Sequence, residues 1–120
     1  SNYGTDSAYH LIYVNPNGTG QLTFWNTTDF VQSASSTVEN LKWYHVAVTR
    51  ESDNKIRLYL NGTFMAESSS TFTANMNDKT RILYGRHSDK YFKGYLSNIR
   101  MTAQVLYTKN FTPPAAELTG

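Results

Sequence analysis

Trp43-Tyr44-His45-Val46-Ala47-Val48-Thr49-Arg50, then a polar interval, then Ile56-Arg57-Leu58-Tyr59-Leu60-Asn61-Gly62: these residues decide the fold. Successive side chains of a strand point to opposite faces. In the first run that alternation puts Tyr44, Val46 and Val48 on one face, read as the core face, and Trp43, His45, Ala47 and Thr49 on the other. In the second run Ile56, Leu58 and Leu60 share a face while Arg57 and Tyr59 point away. The polar residues Glu51 to Lys55 join the two runs as a hairpin. Asn61-Gly62 tolerates the positive φ values of a type I′ turn, so Thr63-Phe64-Met65-Ala66 is expected to fold back as a third strand. The outcome is an antiparallel meander.

Upstream, Tyr9-His10-Leu11-Ile12-Tyr13-Val14 is aromatic and branched. Asn15-Pro16-Asn17-Gly18 closes it with strong turn signals, and Gln21 to Trp25 reads as the returning strand. From Thr27 to Thr37 the large apolar residues are Phe30 and Val31, in what is either a short strand or a loop. Downstream of a polar segment, Ser68 to Asp78, two further strands are expected over Arg81–Gly85 and Tyr95–Met101. Leu96 and Ile99 are read as inward in the second. They lie three apart, which strict alternation forbids, so either a bulge separates them or one faces out. Val105-Leu106-Tyr107 has the makings of one helical turn. Phe111-Thr112-Pro113-Pro114 is extended, because proline excludes the α region for its predecessor. Many short strands without helical crossovers indicate an all-β antiparallel sandwich or barrel.

The chain has 120 residues, 39% of them apolar, which suits a single domain over residues 1–120. Nine tyrosines contribute to an aromatic share of 14%, and amphipathic rings suit half-buried pleated surfaces. Cysteine is absent, so disulfides and thiolate zinc sites are excluded and packing must supply the stability. No apolar run approaches the roughly 18 residues of a membrane helix, and no membrane insertion is expected. No charged segment followed by an apolar one opens the sequence in the manner of a secretory leader. A net charge of +2 with 17% charged residues is far from the concentrated basic stripe that phosphate backbones require, so nucleic acid is not an expected partner.

Three segments together resemble the LamG-like branch of the concanavalin A-like jelly rolls, a family of two-sheet lectin-type domains. The hairpin of residues 43–62 with its Asn-Gly turn is similar to the family's central hairpin. Ile82-Leu83-Tyr84-Gly85-Arg86 with Tyr91-Phe92-Lys93-Gly94-Tyr95-Leu96-Ser97-Asn98-Ile99-Arg100 is similar to its penultimate and final strands. Val105-Leu106-Tyr107-Thr108 with Asn110-Phe111-Thr112-Pro113-Pro114 resembles the ending of copies found in phage structural proteins. The resemblance implies an antiparallel two-sheet jelly-roll sandwich. It also implies N-terminal strands ahead of Ser1, which lie in residues outside this sequence, lie in another chain or are absent, and residues 1–120 are expected to be the C-terminal portion of a larger domain or protein.

Catalysis finds no support in the residues. His10, His45 and His87 are scattered, and no nucleophile–base motif occurs; His45, between apolar neighbours, reads as structural. No carboxylate pair can be placed at glycosidase spacing. No cofactor is expected. Calcium occurs in some lectin-type jelly rolls, and Asp6, Asp29, Asp53, Asp78 and Asp89 fall in expected loops, yet no Asp-x-Asp spacing appears and single loop aspartates usually hydrogen-bond their own backbone. The expected ligand-binding residues are Arg86, His87, Asp89 and Tyr91. Their loop mixes donors, an acceptor and an aromatic ring, the combination that sugar recognition uses. The competing reading is that Tyr91 and Phe92 pack onto the sandwich while the charges are solvated. Sequons at Asn17, Asn26, Asn61 and Asn110 read as turns.

The resemblance therefore implies a non-catalytic virion surface module, in a tail fibre or capsid decoration, that binds a host-surface glycan or receptor. Other virion proteins and further copies of the chain are its expected partners. The alternative is a structural assembly domain that holds virion subunits together without a small ligand.

Overall fold

The structure is a computed structural model that describes residues 11–14, 20–25, 30–73, 94–100, 102 and 104–115. Among the described residues the strands form two antiparallel three-stranded sheets. The first holds β1 (Leu11–Val14), β2 (Leu22–Trp25) and β3 (Phe30–Gln32), and the second holds β4 (Val46–Arg50), β5 (Ile56–Leu60) and β6 (Thr63–Glu67). The expected strand at Phe30-Val31 is present. No helix occurs among the described residues, and Val105-Leu106-Tyr107 has no regular structure.

Register follows the alternation. In the first sheet Ile12 stands opposite Phe24, and Phe24 opposite Val31. In the second, Val48 stands opposite Leu58 and Val46 opposite Leu60. Strand β3 packs against β5 and β6, which closes the sandwich around Leu22, Phe24, Val31, Ile56, Leu58, Leu60 and Phe72, all buried. Tyr44 and Val48 pack against this cluster as expected, whereas Val46 on the same face remains 41% exposed. It belongs to the edge strand β4. Trp43 lies ahead of β4 and is 70% exposed.

Phe72 was not legible as core. It sits in a run of Ser and Thr, yet it is 2% exposed and meets Phe24 edge-on at 5.7 Å. Backbone bonds hold it there: its N–H donates to Asn54 O at 2.7 Å, and its carbonyl accepts from Arg50 Nη1 at 3.3 Å.

Two buried serines end the two sheets in the same way. The Ser33 hydroxyl accepts the Leu22 N–H at 2.9 Å while its own N–H donates to Leu22 O. The Ser68 hydroxyl likewise accepts the Ile56 N–H at 3.0 Å while its N–H donates to Ile56 O. Each extends a ladder by one rung where an unpaired buried N–H would cost stability.

The expectation for residues 95–101 needs correction. Residues 94–100 form no strand, and Leu96 and Ile99 are 49% and 54% exposed. Three-residue spacing places them on opposite faces of extended chain, and no described element covers either. The expected strand at Arg81–Gly85 lies outside the described residues.

Candidate functional site

The Asn61-Gly62 turn has φ values of +50° and +81°, the pair of positive angles that a type I′ turn requires. The Asn61 carboxamide oxygen accepts the His45 N–H at 2.8 Å, and the Asn61 N–H donates to His45 O at 2.8 Å. This ties the entry of β4 to the β5–β6 turn.

Beyond the turn a bulge re-aims β6. Tyr59 pairs with Phe64 and Leu58 with Ala66, which leaves Met65 as the extra residue. Both Met65 and Ala66 then pack against the core, while Phe64 stands opposite Tyr59 and Glu67 opposite Arg57 on the outer face. A bulge inserts one residue and turns the strand locally; here it collects Arg57, Tyr59, Phe64 and Glu67 on one surface.

The segment from Tyr107 to Pro113 lies over that surface as a strap. Phe111 N–H donates to Gly62 O at 2.8 Å, and Phe64 N–H donates to the Asn110 side-chain oxygen at 2.8 Å. Tyr107 and Phe111 stack at 3.6 Å, Phe111 packs against Tyr59 at 5.6 Å, and His45 meets Phe111 edge-on at 5.5 Å. Tyr59, on the face away from the core, is therefore only 1% exposed. The approach is close enough to require glycine: a Cβ on Gly62 would collide with the Phe111 carbonyl oxygen and lie 2.9 Å from its carbon. Asn61 is the turn residue it was read as, whereas Asn110 lies in no turn and its carboxamide oxygen instead ties the strap to β6 through the Phe64 N–H. Asn17 and Asn26 lie outside the described residues.

A shallow groove of about 410 Å³ remains between strap and sheet, lined by Arg57, Tyr59, Phe64, Thr108, Lys109 and Asn110. Phe64 is 45% exposed in it. Arg57 is held from several sides: Asp53 accepts from both terminal nitrogens at 3.1 and 2.7 Å, Glu67 lies 2.8 Å away and Glu51 3.3 Å away as an ion pair. Lys55 pairs with Glu67 at 3.1 Å. The Arg57 hydrogen bonds, helped by the Lys55 backbone N–H, hold the Asp53 carboxyl down at about 2. The Lys55 ammonium, with Arg57, holds Glu67 below the usual carboxylate range. Burial pushes the His45 imidazole below its ordinary value, and its Nδ1 is buried without a hydrogen-bond partner. The ring packs edge-on against Phe111 and Tyr107, but the unpartnered Nδ1 departs from a structural histidine whose hydrogen bonds are met.

The expected ligand-binding residues Arg86, His87, Asp89 and Tyr91 lie outside the described residues, and the groove is the candidate that the described residues offer. Of its lining, Arg57 and Tyr59 could be read as outward-facing by alternation, but nothing in the sequence marked the bulge that sets Phe64 beside them or the strap that brings Thr108, Lys109 and Asn110. Among the described residues no three His, Asp or Glu side chains converge to hold a metal. Asp53 is the one described member of the five aspartates considered for calcium, and its carboxylate is occupied by Arg57 and the Lys55 N–H. It does not suit a cation. Nor is any helix of the described residues long and apolar enough to cross a membrane.

Two packed antiparallel sheets with a groove on an outer face define a β-sandwich module of lectin-like architecture. The chain belongs to the laminin G type family of the concanavalin A-like lectin/glucanases superfamily, whose family model matches residues 1–109. The superfamily includes some enzymes, whereas this family is mostly non-catalytic, and membership makes the chain a carbohydrate-binding or structural module in general. No curated protein and no solved structure matches it.

Proposed function

We propose that the chain is a non-catalytic binding module of a virion surface protein, in a tail fibre or capsid decoration, and that it attaches to a host-surface glycan. One observation carries the reading. The exposed Phe64 ring stands in the groove beside Thr108, Lys109, Asn110 and Arg57, which combines a flat apolar platform with oriented donors and acceptors on a rigid hairpin. Sugar sites need both, because a pyranose offers an apolar C–H face and a rim of hydroxyls. The virion setting rests on the resemblance of residues 105–114 to phage copies of the fold.

The test is binding of the full-length protein to a broad glycan array and to whole host cells, with and without calcium. Saturable binding that Phe64→Ala removes in a folded protein supports the groove as the site. Binding removed instead by Arg86→Ala, Asp89→Ala or Tyr91→Ala moves the site to that loop, and absence of binding by folded protein rejects attachment.

A specific observation favours the second reading, a domain that holds neighbouring virion subunits together. Leu41 and Trp43 project from the loop before β4 at 105% and 70% exposure, and large exposed apolar side chains close together often mark a protein contact. Sedimentation of the full-length protein decides it: Trp43→Ser dissociates an assembly held by this loop and leaves any other assembly unchanged.

A further inference from the structure

We infer that the groove selects neutral, hydroxyl-rich saccharides and discriminates against sialylated, uronate-bearing or sulfated ones, an inference that rests on reading the groove as the glycan site. Arginine recognises an anion by presenting two parallel N–H donors to it. Arg57 cannot do so here. Both terminal nitrogens are already spent on Asp53, with Glu67 and Glu51 against the same guanidinium. Its side chain is 15% exposed, so it has no freedom to swing toward a ligand. An anionic sugar would have to displace a carboxylate that the site already holds.

The charge around the groove leads to the same conclusion. Glu51, Asp53 and Glu67 offset Arg57, Lys55 and the rim cation Lys109, which has no carboxylate partner among the described residues. Among the described residues the charges around the groove balance, with the positive groups either neutralised or solvated, so their long-range attraction of an anion is weak. What remains is an apolar ring and short-range polar groups: the Thr108 hydroxyl, the Asn110 carboxamide and the Lys109 ammonium. These suit a hydroxyl-lined ring that stacks one face on Phe64.

The experiment presents the full-length protein with neutral glycans, terminated in hexose or N-acetylhexosamine, and with their sialylated, uronate and sulfated counterparts, at low and high salt. Neutral glycans are expected to bind, with less than about a twofold change between roughly 0.05 and 0.5 M salt, because screening acts on charge pairs and spares stacking and neutral hydrogen bonds. Acidic counterparts are expected to bind roughly tenfold more weakly. Asp53→Asn, which removes one negative charge and frees part of the Arg57 fork, is expected to narrow that gap. Phe64→Ala abolishes binding, while Phe64→Trp, which keeps a ring and the fold, retains it. Preferential, salt-sensitive binding of acidic glycans would overturn the inference and leave the attachment reading standing. Binding indifferent to Phe64 overturns the inference and the groove as the site, while absence of all glycan binding by the folded protein overturns attachment as well.

Discussion

Replacing Gly62 by alanine tests the idea that the strap is seated on the turn. Two costs arise at once. Gly62 has φ +81°, where an L-residue pays about 1–2 kcal/mol. The new Cβ would also strike the Phe111 backbone, so the strap must lift. Lifting removes the Phe111–Gly62 and Phe64–Asn110 hydrogen bonds, worth about 1 kcal/mol each or somewhat less at a wet surface. It also removes the Phe111 contact with Tyr59, worth about 0.5–1.5 kcal/mol. The sum is about 4 kcal/mol, or roughly 10–20 °C in Tm for a domain of this size. Phe111→Ala loosens the strap by another route and is expected to cost about 2 kcal/mol, since the ring is half-buried. Urea unfolding of both single variants and the double variant gives the decisive number. Once Phe111→Ala has loosened the strap, Gly62→Ala retains little beyond its φ cost, so the coupling energy is about 1.5–2 kcal/mol. Additivity within about 0.5 kcal/mol would refute the reasoning, because it would mean that the Cβ does not act through the strap.

Phe72→Ala is expected to cost about 3–5 kcal/mol by urea denaturation, whereas Phe30→Ala on the exposed side of β3 stays below about 1 kcal/mol; equal costs would remove Phe72 from the core. Because burial lowers the His45 pKa from its ordinary 6.5, the unfolded chain binds the proton first as pH falls, so stability from this residue is full above 6.5 and is lost below it. Thermal unfolding at about pH 7.5 and about pH 5.5 reads this as a lower Tm at the acid value that His45→Gln flattens. Asp53, held at about 2 from its ordinary 3.8, contributes stability that is present above 3.8 and lost as pH falls toward 2; Asp53→Asn is expected to blunt that last acid-induced loss in a circular dichroism titration. Leu41 has φ +61° and is fully exposed, so Leu41→Gly is expected to raise stability by up to about 1 kcal/mol, and a loss of stability would show that the leucine makes contacts that hold the loop.

The second sheet was readable because each of its signals is local. Ile56, Leu58 and Leu60 alternate cleanly, and Asn61-Gly62 names its own turn, so β5, the turn and β6 fall where the pattern puts them. Residues whose role depends on distant chain were not readable. Phe72 is buried by Phe24, far away in sequence. Tyr59 is polar-side by alternation and buried only because the strap returns over it. The bulge at Met65 carries no glycine to announce it, and without it Phe64 and Glu67 could not both face Arg57 and Tyr59. Half the groove was therefore visible as residue types, and its assembly was not. Leu96 and Ile99 show the reverse case, since apolar residues suggested a strand where spacing alone argued against burying both.

The bond from the His45 N–H to the Asn61 carboxamide also bears on how the protein ages. Asparagine followed by glycine is the dipeptide most prone to spontaneous deamidation, which begins when the glycine nitrogen attacks the asparagine side-chain carbon to close a five-membered imide. Closing that ring at Asn61 means rotating the carboxamide away from His45 and distorting a turn whose two φ angles are already set by the strand pair. The folded hairpin thus acts as its own preservative, and chemical damage at Asn61 becomes a record of how long a molecule has spent unfolded.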